Sequence, residues 1–281
     1  MLHELGVEAE VRIVKTSGDM FLDRPLHQLK GQGLFVREID ERMLAGEVDL
    51  AVHSMKDLPT KRPPQLAISA ILERDSPHDI LVTPDGLSLE ELPGEAVVGT
   101  SSLRRAAQLR RARPDLRVKS LRGNLQTRLS KLASEECQAI VIAEAGVQRM
   151  GYELAYSVLD VERFVPSANQ GTIVVVGVDK SPGHLEAKRI DHPATRAETM
   201  VERRIMEVVG GGCVVPMAVH AQAKRGGMRV LAEVLSLDGT RYVRVDEVIA
   251  AGDVQEAEIV GQRLVEMGGQ KLVEEAVRSA R

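Results

Sequence analysis

Short apolar runs alternate with amphipathic stretches along the chain, and this alternation predicts β-α units. Residues 35–44 have apolar positions at helical spacing and are followed by Gly46, so we predict a helix that ends there. Thr100-Ser101-Ser102 predicts the start of a second helix, and Asn124 that of a third. We predict strands at residues 11–14, 48–52, 66–71, 96–99, 116–121, 139–143 and 172–178. The pattern favours an α/β fold with largely parallel sheets.

Two polar segments, 73–77 and 165–171, indicate where the chain crosses between domains, because both are rich in turn-forming residues. We therefore predict a discontinuous first domain over 1–73 plus 171–190 and a second domain over 77–167. A small third α/β domain over 193–281 is predicted to contain a helix at 195–209, three strands and a closing helix from Val254. The three strands are placed at residues 216–223, 228–236 and 241–249.

Composition excludes several classes of protein. Hydrophobic residues make up 43% of the 281 residues and charged residues 28%, as in ordinary soluble proteins. No apolar run approaches the roughly 20 residues of a membrane span. Three Phe, three Tyr and no Trp predict an aliphatic core and argue against base-stacking platforms for nucleic acid. Cys137 and Cys213 form no C-x-x-C pair and the N-terminus lacks signal-peptide features, so we expect a cytoplasmic protein without a metal site.

Positive charge is concentrated between Ser101 and Lys131. This stretch holds ten Lys or Arg residues and one acidic residue, Asp115, so it carries +9 in a chain whose formal net charge is −4. Charge segregated in this way is typical of a local binding site for a ligand with several negative groups. Arg110, Arg111 and Arg113 fall near a helix C-terminus, where cations are favoured, and a solvated face is the preferred interpretation of these three.

Three other cations in this stretch lie where the dipole of a helix disfavours positive charge. Arg104 and Arg105 lie in the first turn of their predicted helix, and Arg122 lies just before the next helix start. Cations are disfavoured at helix N-termini, and a bound anion would offset that cost. We predict an anion pocket, and both carboxylates and phosphates remain open as its ligand. Its predicted members are Ser102, Arg104, Arg105, Arg122 and Arg128.

The pair Lys56-Asp57 follows the predicted strand 48–52. Ligands of open α/β sheets bind beyond the carboxyl ends of strands, and this pair stands at such an end. Asp57 could steady a developing cation or pass a proton, whereas Lys56 could bind a substrate carboxylate. A surface charge pair is the alternative.

Three glycines, Gly210-Gly211-Gly212, place a flexible turn directly before Cys213. An exposed thiol there could be a nucleophile or a covalent attachment point. A buried structural thiol is the alternative for Cys213 and the better interpretation of Cys137. His220 is close in sequence and is interpreted as structural.

Motifs along nearly the whole chain resemble those of the porphobilinogen deaminase (hydroxymethylbilane synthase) family. The specific ones are H-S-M-K-D at 53–57, S-S-L-R-R at 101–105 and L-R-G-N-x-x-T-R at 121–128. K-T-S-G-D at 15–19, G-Q-G-L-F-V-R-E at 31–38, A-G-V-Q-R-M-G at 145–151, N-Q-G at 169–171 and G-G-C-V-V-P at 211–216 complete the resemblance.

This resemblance implies three α/β domains, of which the first two are doubly wound, like the halves of periplasmic binding proteins, and joined by a hinge. It implies a transferase that condenses four porphobilinogen units head to tail, with loss of ammonia, into hydroxymethylbilane. A dipyrromethane cofactor would be held as a thioether on Cys213, and a cytoplasmic monomer without metal, nucleic-acid or membrane partners is expected.

Site residues follow from the matched motifs. Asp57 is implied as the catalytic carboxylate. The cofactor would be bound by Cys213, Lys56, Ser102, Arg104, Arg105, Asn124 and Arg128. The substrate would be bound by Arg122, Arg128, Arg149, Gln170, Ser54 and Phe35.

The chain also departs from the family pattern. No counterpart of the family's opening T-R-G-S-x-L-A segment is found, so we expect a first domain without its opening strand and an incomplete cofactor pocket. Gln32 replaces the more usual Lys. A two-lobed anion-binding module without catalysis is the alternative function, and a nucleic-acid-binding protein is a third.

Overall fold

The computed structural model describes residues 1–14 and 34–280 of the chain. Its strands are β1 Leu50–Ser54, β2 Leu66–Ile71, β3 Asp79–Val82, β4 Val97–Gly99, β5 Arg117–Lys119, β6 Ala139–Ala143, β7 Tyr156–Val158, β8 Ile173–Val178, β9 Met217–Lys224, β10 Gly227–Leu235 and β11 Tyr242–Ile249. Its α-helices are α1 Leu34–Leu44, α2 Leu103–Ala112, α3 Leu125–Ala133, α4 Glu144–Met150, α5 Pro182–Ala187, α6 Pro193–Val209, α7 Val254–Leu264 and α8 Gln270–Ser279.

The second sheet, β5-β4-β6-β3-β7, has helices on both faces. Because side chains alternate along a strand, Leu81 and Val141 face one apolar cluster, which contains Leu109 of α2. Ile80 and Ile142 face the opposite cluster, to which α3 and α4 contribute. This layered arrangement confirms the predicted α/β class.

The other two sheets are antiparallel throughout their described strands. In the first sheet β8 lies between β1 and β2 and pairs antiparallel with both. In the third sheet β10 lies between β9 and β11 in the same manner, and α6, α7 and α8 cover one face of it. Parallel pairing is confined to β4 with β5 and β4 with β6. The expectation of largely parallel sheets is therefore wrong for the described strands, because strand direction depends on partners that alternation alone does not identify.

The strand predicted at residues 11–14 is also wrong. The segment forms no strand, and the side chains of Val11 and Ile13 are 89% and 87% exposed. No sheet neighbour covers these side chains, so their apolar character does not indicate burial. The motif at 15–19 and Gln32 lie outside the described residues. Within the described helices, no segment is both long and apolar enough to cross a membrane.

The two predicted crossings pack against each other. Gly171 in the second crossing has a positive φ of 85°. A Cβ placed on it would lie 2.6 Å from the carbonyl oxygens of Asp75 and Ser76 in the first crossing. Only glycine allows the two segments to approach so closely. The sheets fall within the spans predicted for three domains, and the domain limits themselves stay a prediction.

Gly171→Ala is expected to destabilise the chain by about 3 kcal/mol or more, because it adds a steric clash to the strain of a positive φ. Gly151→Ala is the matched control, since Gly151 also has a positive φ, 64°, but nothing lies within 4 Å of its added Cβ. The control should cost about 1 kcal/mol. Urea unfolding measures both, and equal losses would contradict the close approach of the crossings.

Candidate active site

The N-terminus of α2 carries two of the predicted anion-binding arginines, and the anion that they meet is Asp79, the first residue of β3. Arg104 donates from Nη1 to Asp79 Oδ2 at 2.7 Å, and Arg105 donates from Nη2 to Oδ1 at 2.7 Å. The arginines are 4% and 6% exposed, and Asp79 is fully buried. The positive charge that the helix N-terminus disfavours is thus offset by Asp79, a carboxylate of the protein itself. Whether these arginines also hold a ligand stays a prediction.

Asp79 is ionised because its two partners outweigh its burial. Burial is the largest single influence on the pKa of Asp79 and raises it. The charges and hydrogen bonds of Arg104 and Arg105 act in the opposite direction, and together they hold the pKa of Asp79 well below its usual range. The cluster therefore keeps a net positive charge at neutral pH.

Gln170 joins this cluster to the second crossing. Its Nε2 donates to Asp79 Oδ1 at 2.8 Å and to the carbonyl of Pro77 at 2.7 Å, and its Oε1 accepts from Arg105 at 3.3 Å. Gln170 is 1% exposed. Its amide therefore connects both crossings with the start of α2, in the position where a hinge was predicted.

Lys56 lies within the electrostatic reach of the same cluster. Burial lowers the pKa of Lys56 to about 8, and it is the largest influence; the charge of Asp57 raises the value, and that of Arg105 lowers it. Lys56 is half-buried, and such an ammonium is costly without a close carboxylate, of which the described residues supply none within salt-bridge distance. Its position beside Arg105 therefore makes a site that favours an incoming anion.

Asp57 is presented on a short, well-anchored turn. It ends the 3-10 turn Met55–Asp57 and is exposed. Met55 and Leu58, on either side, are 0% and 2% exposed. Arg203 of α6 donates to the carbonyl of Leu58 at 3.0 Å and also to that of Pro59. Sequence reasoning missed Arg203, which fixes this turn from the third part of the chain.

Two more of the predicted site residues, Ser54 and Phe35, lie in the first part of the chain. Ser54 is the last residue of β1 and pairs with Ile173 of β8, directly before the turn that ends at Asp57. Phe35 lies in α1, and its side chain is outside the described part of the structure.

Helix α3 brings Arg128 towards Arg105. Arg128 donates from Nε to the carbonyl of Gly123 at 2.8 Å and forms no ion pair with a described carboxylate. Burial lowers the pKa of Arg128 most, and the charges of Arg105 and Arg122 lower it further. Burial also lowers the pKa of Arg122. These cations repel one another, so a polyanion would be stabilised between them.

Ser102 and Asn124 serve as helix caps, as their positions predict. Ser102 Oγ accepts from the backbone N–H of Arg105 at 3.4 Å, and Asn124 Oδ1 accepts from that of Thr127 at 2.9 Å. Arg149 contacts the crossings instead, since it pairs with Asp75 at 2.6 Å and donates to the carbonyl of Gly171 at 2.7 Å.

The glycine-flanked loop turns sharply at Cys213. The backbone of Gly212–Val214 forms a 3-10 turn, and Gly210, Gly211 and Gly212 all have positive φ. A Cβ on Gly211 would lie 2.2 Å from Val215, so glycine is required there. The side chain of Cys213 is outside the described part of the structure.

The residue that sequence reasoning missed at the centre of the site is Asp79. A carboxylate directly before the apolar run Ile80-Leu81-Val82 is the signal that could have found it, because a charge there enters the core with its strand. Glu233 was missed in the same way, and it accepts hydrogen bonds from Gln108 and Arg111 of α2, both at 2.9 Å.

The exposed Asp57 follows Lys56, which lies within the electrostatic reach of Arg104 and Arg105. Comparisons with known proteins identify the family of the chain. The model of the porphobilinogen deaminase dipyrromethane cofactor binding domain matches residues 1–184, and that of the porphobilinogen deaminase C-terminal domain matches residues 196–267. The chain belongs to the porphobilinogen deaminase family. The predicted family, its transferase class and its dipyrromethane cofactor are therefore confirmed.

Relatives whose names give the same family align with this chain over most of their length. A "Probable porphobilinogen deaminase" of Methanococcoides burtonii is 52% identical over 280 residues, covering 99% of this chain and 91% of the relative. A "Porphobilinogen deaminase" of Desulforamulus reducens is 41% identical, covering 96% and 88%. Among solved structures, an ancestral cationic amino acid solute binding protein aligns with 17% identity and a TM-score of 0.36, over 55% of this chain and 66% of that one.

Asp79→Asn is expected to destabilise the chain by about 3–5 kcal/mol, because it leaves two buried arginines without their counter-charge. Asp115→Asn is the matched control: Asp115 also pairs with an arginine, Arg113, at 2.6 Å, but it is 43% exposed. That surface pair should be worth about 1 kcal/mol or less. Urea unfolding at pH 7 measures both, and equal losses would contradict a structural role of the buried cluster.

The same variant should change the response to acid. Because the pKa of Asp79 is lower in the folded than in the unfolded chain, its contribution to stability is fully present above about pH 4 and is lost as pH falls below that value. Asp79→Asn should therefore flatten the fall in unfolding free energy on acidification below about pH 4. If Asp79→Asn leaves the fall in unfolding free energy at low pH unchanged, Asp79 is not the group that causes this fall.

Proposed function

We propose that the chain condenses four porphobilinogen units head to tail, with loss of ammonia, and releases linear hydroxymethylbilane. The observation that carries this proposal is the match of both family models to a chain in which Lys56, directly before Asp57, lies within the electrostatic reach of Arg104 and Arg105. In each condensation the bond from the aminomethyl carbon to nitrogen breaks and ammonia leaves. That carbon joins the free α-carbon of the terminal ring of the growing chain, whose α-hydrogen departs as a proton. Release of the product would consume one water: its hydroxyl group becomes the hydroxymethyl group, and its remaining proton goes to the ring carbon that held the product.

The cations suit the carboxylates of this substrate. Every porphobilinogen carries one acetate and one propionate, so a growing chain gains two carboxylates with each ring. Lys56 and Arg128 bind such groups directly, because each is partly withdrawn from water and neither is neutralised by a close carboxylate among the described residues. Arg104 and Arg105 add to the attraction, since the single charge of Asp79 offsets only one of theirs.

Asp57 is the group proposed to handle the developing charge. Loss of ammonia leaves a positive charge spread over the pyrrole ring, and an ionised carboxylate beside the ring N–H stabilises it. The same carboxylate can accept the proton that the attacked ring releases. Exposure of Asp57 on an anchored turn supports this role, because its side chain is accessible while Arg203 holds the carbonyl of the next residue, Leu58.

The residues present fit a dipyrromethane cofactor, whose two rings carry four carboxylates. Lys56, Arg104, Arg105 and Arg128 would hold these, with Ser102 and Asn124 shaping the helix starts. When bound, the cofactor supplies the free pyrrole carbon from which the chain of rings grows. Attachment to Cys213 is proposed because its backbone lies in the 3-10 turn that directly follows Gly210 and Gly211.

The remaining assignments are proposals of the same kind. Arg122, Arg149, Gln170, Ser54 and Phe35 are proposed to contact substrate, and the domain limits 1–73 plus 171–190, 77–167 and 193–281 to be separated by a hinge at Gln170. A cytoplasmic monomer without metal, nucleic-acid or membrane partners is also proposed. The alternative of a non-catalytic anion-binding module finds no support in the matched family.

Asp57→Asn should lower kcat by about 100-fold or more, because the amide keeps the shape of the side chain but neither carries charge nor accepts a proton. Asp85→Asn, on an exposed turn, is the matched control and should keep full activity. Porphobilinogen consumption measures the rate, and intact mass should show that both variants still carry the cofactor. Normal turnover in Asp57→Asn would remove Asp57 from the mechanism.

Cys213→Ala should remove the covalent cofactor. The intact mass of the unaltered chain should exceed the sequence mass by two linked pyrroles, and the variant should match its sequence mass. Cys137→Ala is the control, because Cys137 is 2% exposed in an apolar cluster and should leave the added mass in place. Retention of the added mass in Cys213→Ala would contradict attachment at this residue.

A further inference from the structure

One face of the third sheet is only partly covered. Val219 and Ala221 of β9 face the apolar cluster beneath α6, α7 and α8. The alternate residues of β9 belong to the opposite face, where Ala218 packs with Leu231 of β10 and Val165. Further along this second face, the same alternation presents His220, Gln222 and Lys224 in a row.

This row lines a cavity of about 330 Å³ between the third sheet and residues 77–78 and 161–162. Its volume is at the lower end of the range for small-molecule sites. None of the residues assigned to the candidate active site lines it. The lining residues are Pro77, His78, Val161, Glu162, His220, Gln222, Lys224, Arg229 and Leu231.

The cavity offers hydrogen-bond donors at one side and apolar surface at the other. Lys224 is exposed, and its ammonium pairs with no carboxylate of the described residues. Arg229, by contrast, is committed, because it pairs with Glu162 and Asp246, both at 2.6 Å. Lys224 is therefore the cation that remains available to a ligand.

His220 adds a buried and oriented ring. It is 8% exposed, and its Nδ1 lies 3.5 Å from Glu202 Oε1 without meeting hydrogen-bond criteria. Glu202 is itself fixed, since it accepts from the backbone N–H of Ala221 at 2.8 Å and from Arg74 at 2.7 Å. The other ring nitrogen, Nε2, makes no hydrogen bond within the described ranges, so the ring can serve a ligand in the cavity. His78 on the opposite wall also has a buried Nδ1 without a partner.

We propose that this cavity binds a small carboxylate with an apolar body. The carboxylate accepts from Lys224 and Gln222, and the apolar part packs against Pro77, Val161 and Leu231. A carboxylate fits better than a phosphate, because the guanidinium fork of Arg229 is already occupied and no helix N-terminus of the described chain opens into this cavity. The site lies outside the proposed catalytic cleft and does not depend on the proposed reaction.

Benzoate is a suitable probe, and benzamide is its uncharged counterpart of the same shape. Calorimetric titration of the full-length chain, carrying its cofactor, should show benzoate binding with a dissociation constant of about 1 mM or tighter, and benzamide binding at least about tenfold more weakly. Lys224→Gln should weaken benzoate about tenfold. Arg225→Gln is the matched control, because Arg225 is the neighbouring exposed cation and does not line the cavity.

Binding that is equal for benzoate and benzamide, or unaffected by Lys224→Gln, would overturn the proposal, as would no binding at all. Benzoate that binds the cationic cleft instead would show the same affinity in Lys224→Gln as in the unaltered chain. Inorganic phosphate, titrated in parallel, should not compete, and competition would reassign the cavity to anions in general. If Arg225→Gln weakens benzoate binding as much as Lys224→Gln does, unspecific attraction to surface charge explains the binding and the proposal is wrong.

Discussion

The structure depends on a carboxylate that is removed from water altogether. Asp79 has no exposed surface, and its charge is met by two arginines that are nearly as buried. Taking such charges out of water costs several kcal/mol for each ion, so they are stable only as a hydrogen-bonded unit. Gln170 completes that unit. Because its members come from β3, from the start of α2 and from the second crossing, the unit holds the place where the chain passes between its first two sheets.

Glu202 and Glu233 repeat this arrangement where the third sheet joins the rest. Glu202 is fully buried between Arg74 and the backbone of Asn169, and Glu233 is fully buried beside Arg111. The large apolar clusters are built mainly within the separate parts of the chain, and few apolar residues reach across this junction among the described residues. They include Ala168, Met200 and Val165. Buried ion pairs contribute little net stability but demand a defined geometry. The junctions are therefore specified by charge and the interiors by apolar packing.

The charged segment between Ser101 and Lys131 illustrates what a sequence pattern can and cannot predict. The helix dipole alone predicts that cations at a helix N-terminus require a nearby anion. It does not identify that anion, because Asp79 is more than twenty positions away and meets Arg104 and Arg105 only after the sheet has formed. Arg128 has no such internal partner among the described residues, and it remains the clearer candidate for binding a ligand.

By itself, the sequence determined the α/β class, most of the helix and strand positions, the family and the turn that carries Asp57. These features depend on local spacing, capping residues and short motifs, all of which are contained in neighbouring positions. Only the tertiary structure decided the strand directions, the burial of Asp79, and the row of His220, Gln222 and Lys224 along a cavity. Each of these depends on residues that are distant in the chain and become neighbours through sheet pairing and the burial of charge, which no local pattern records.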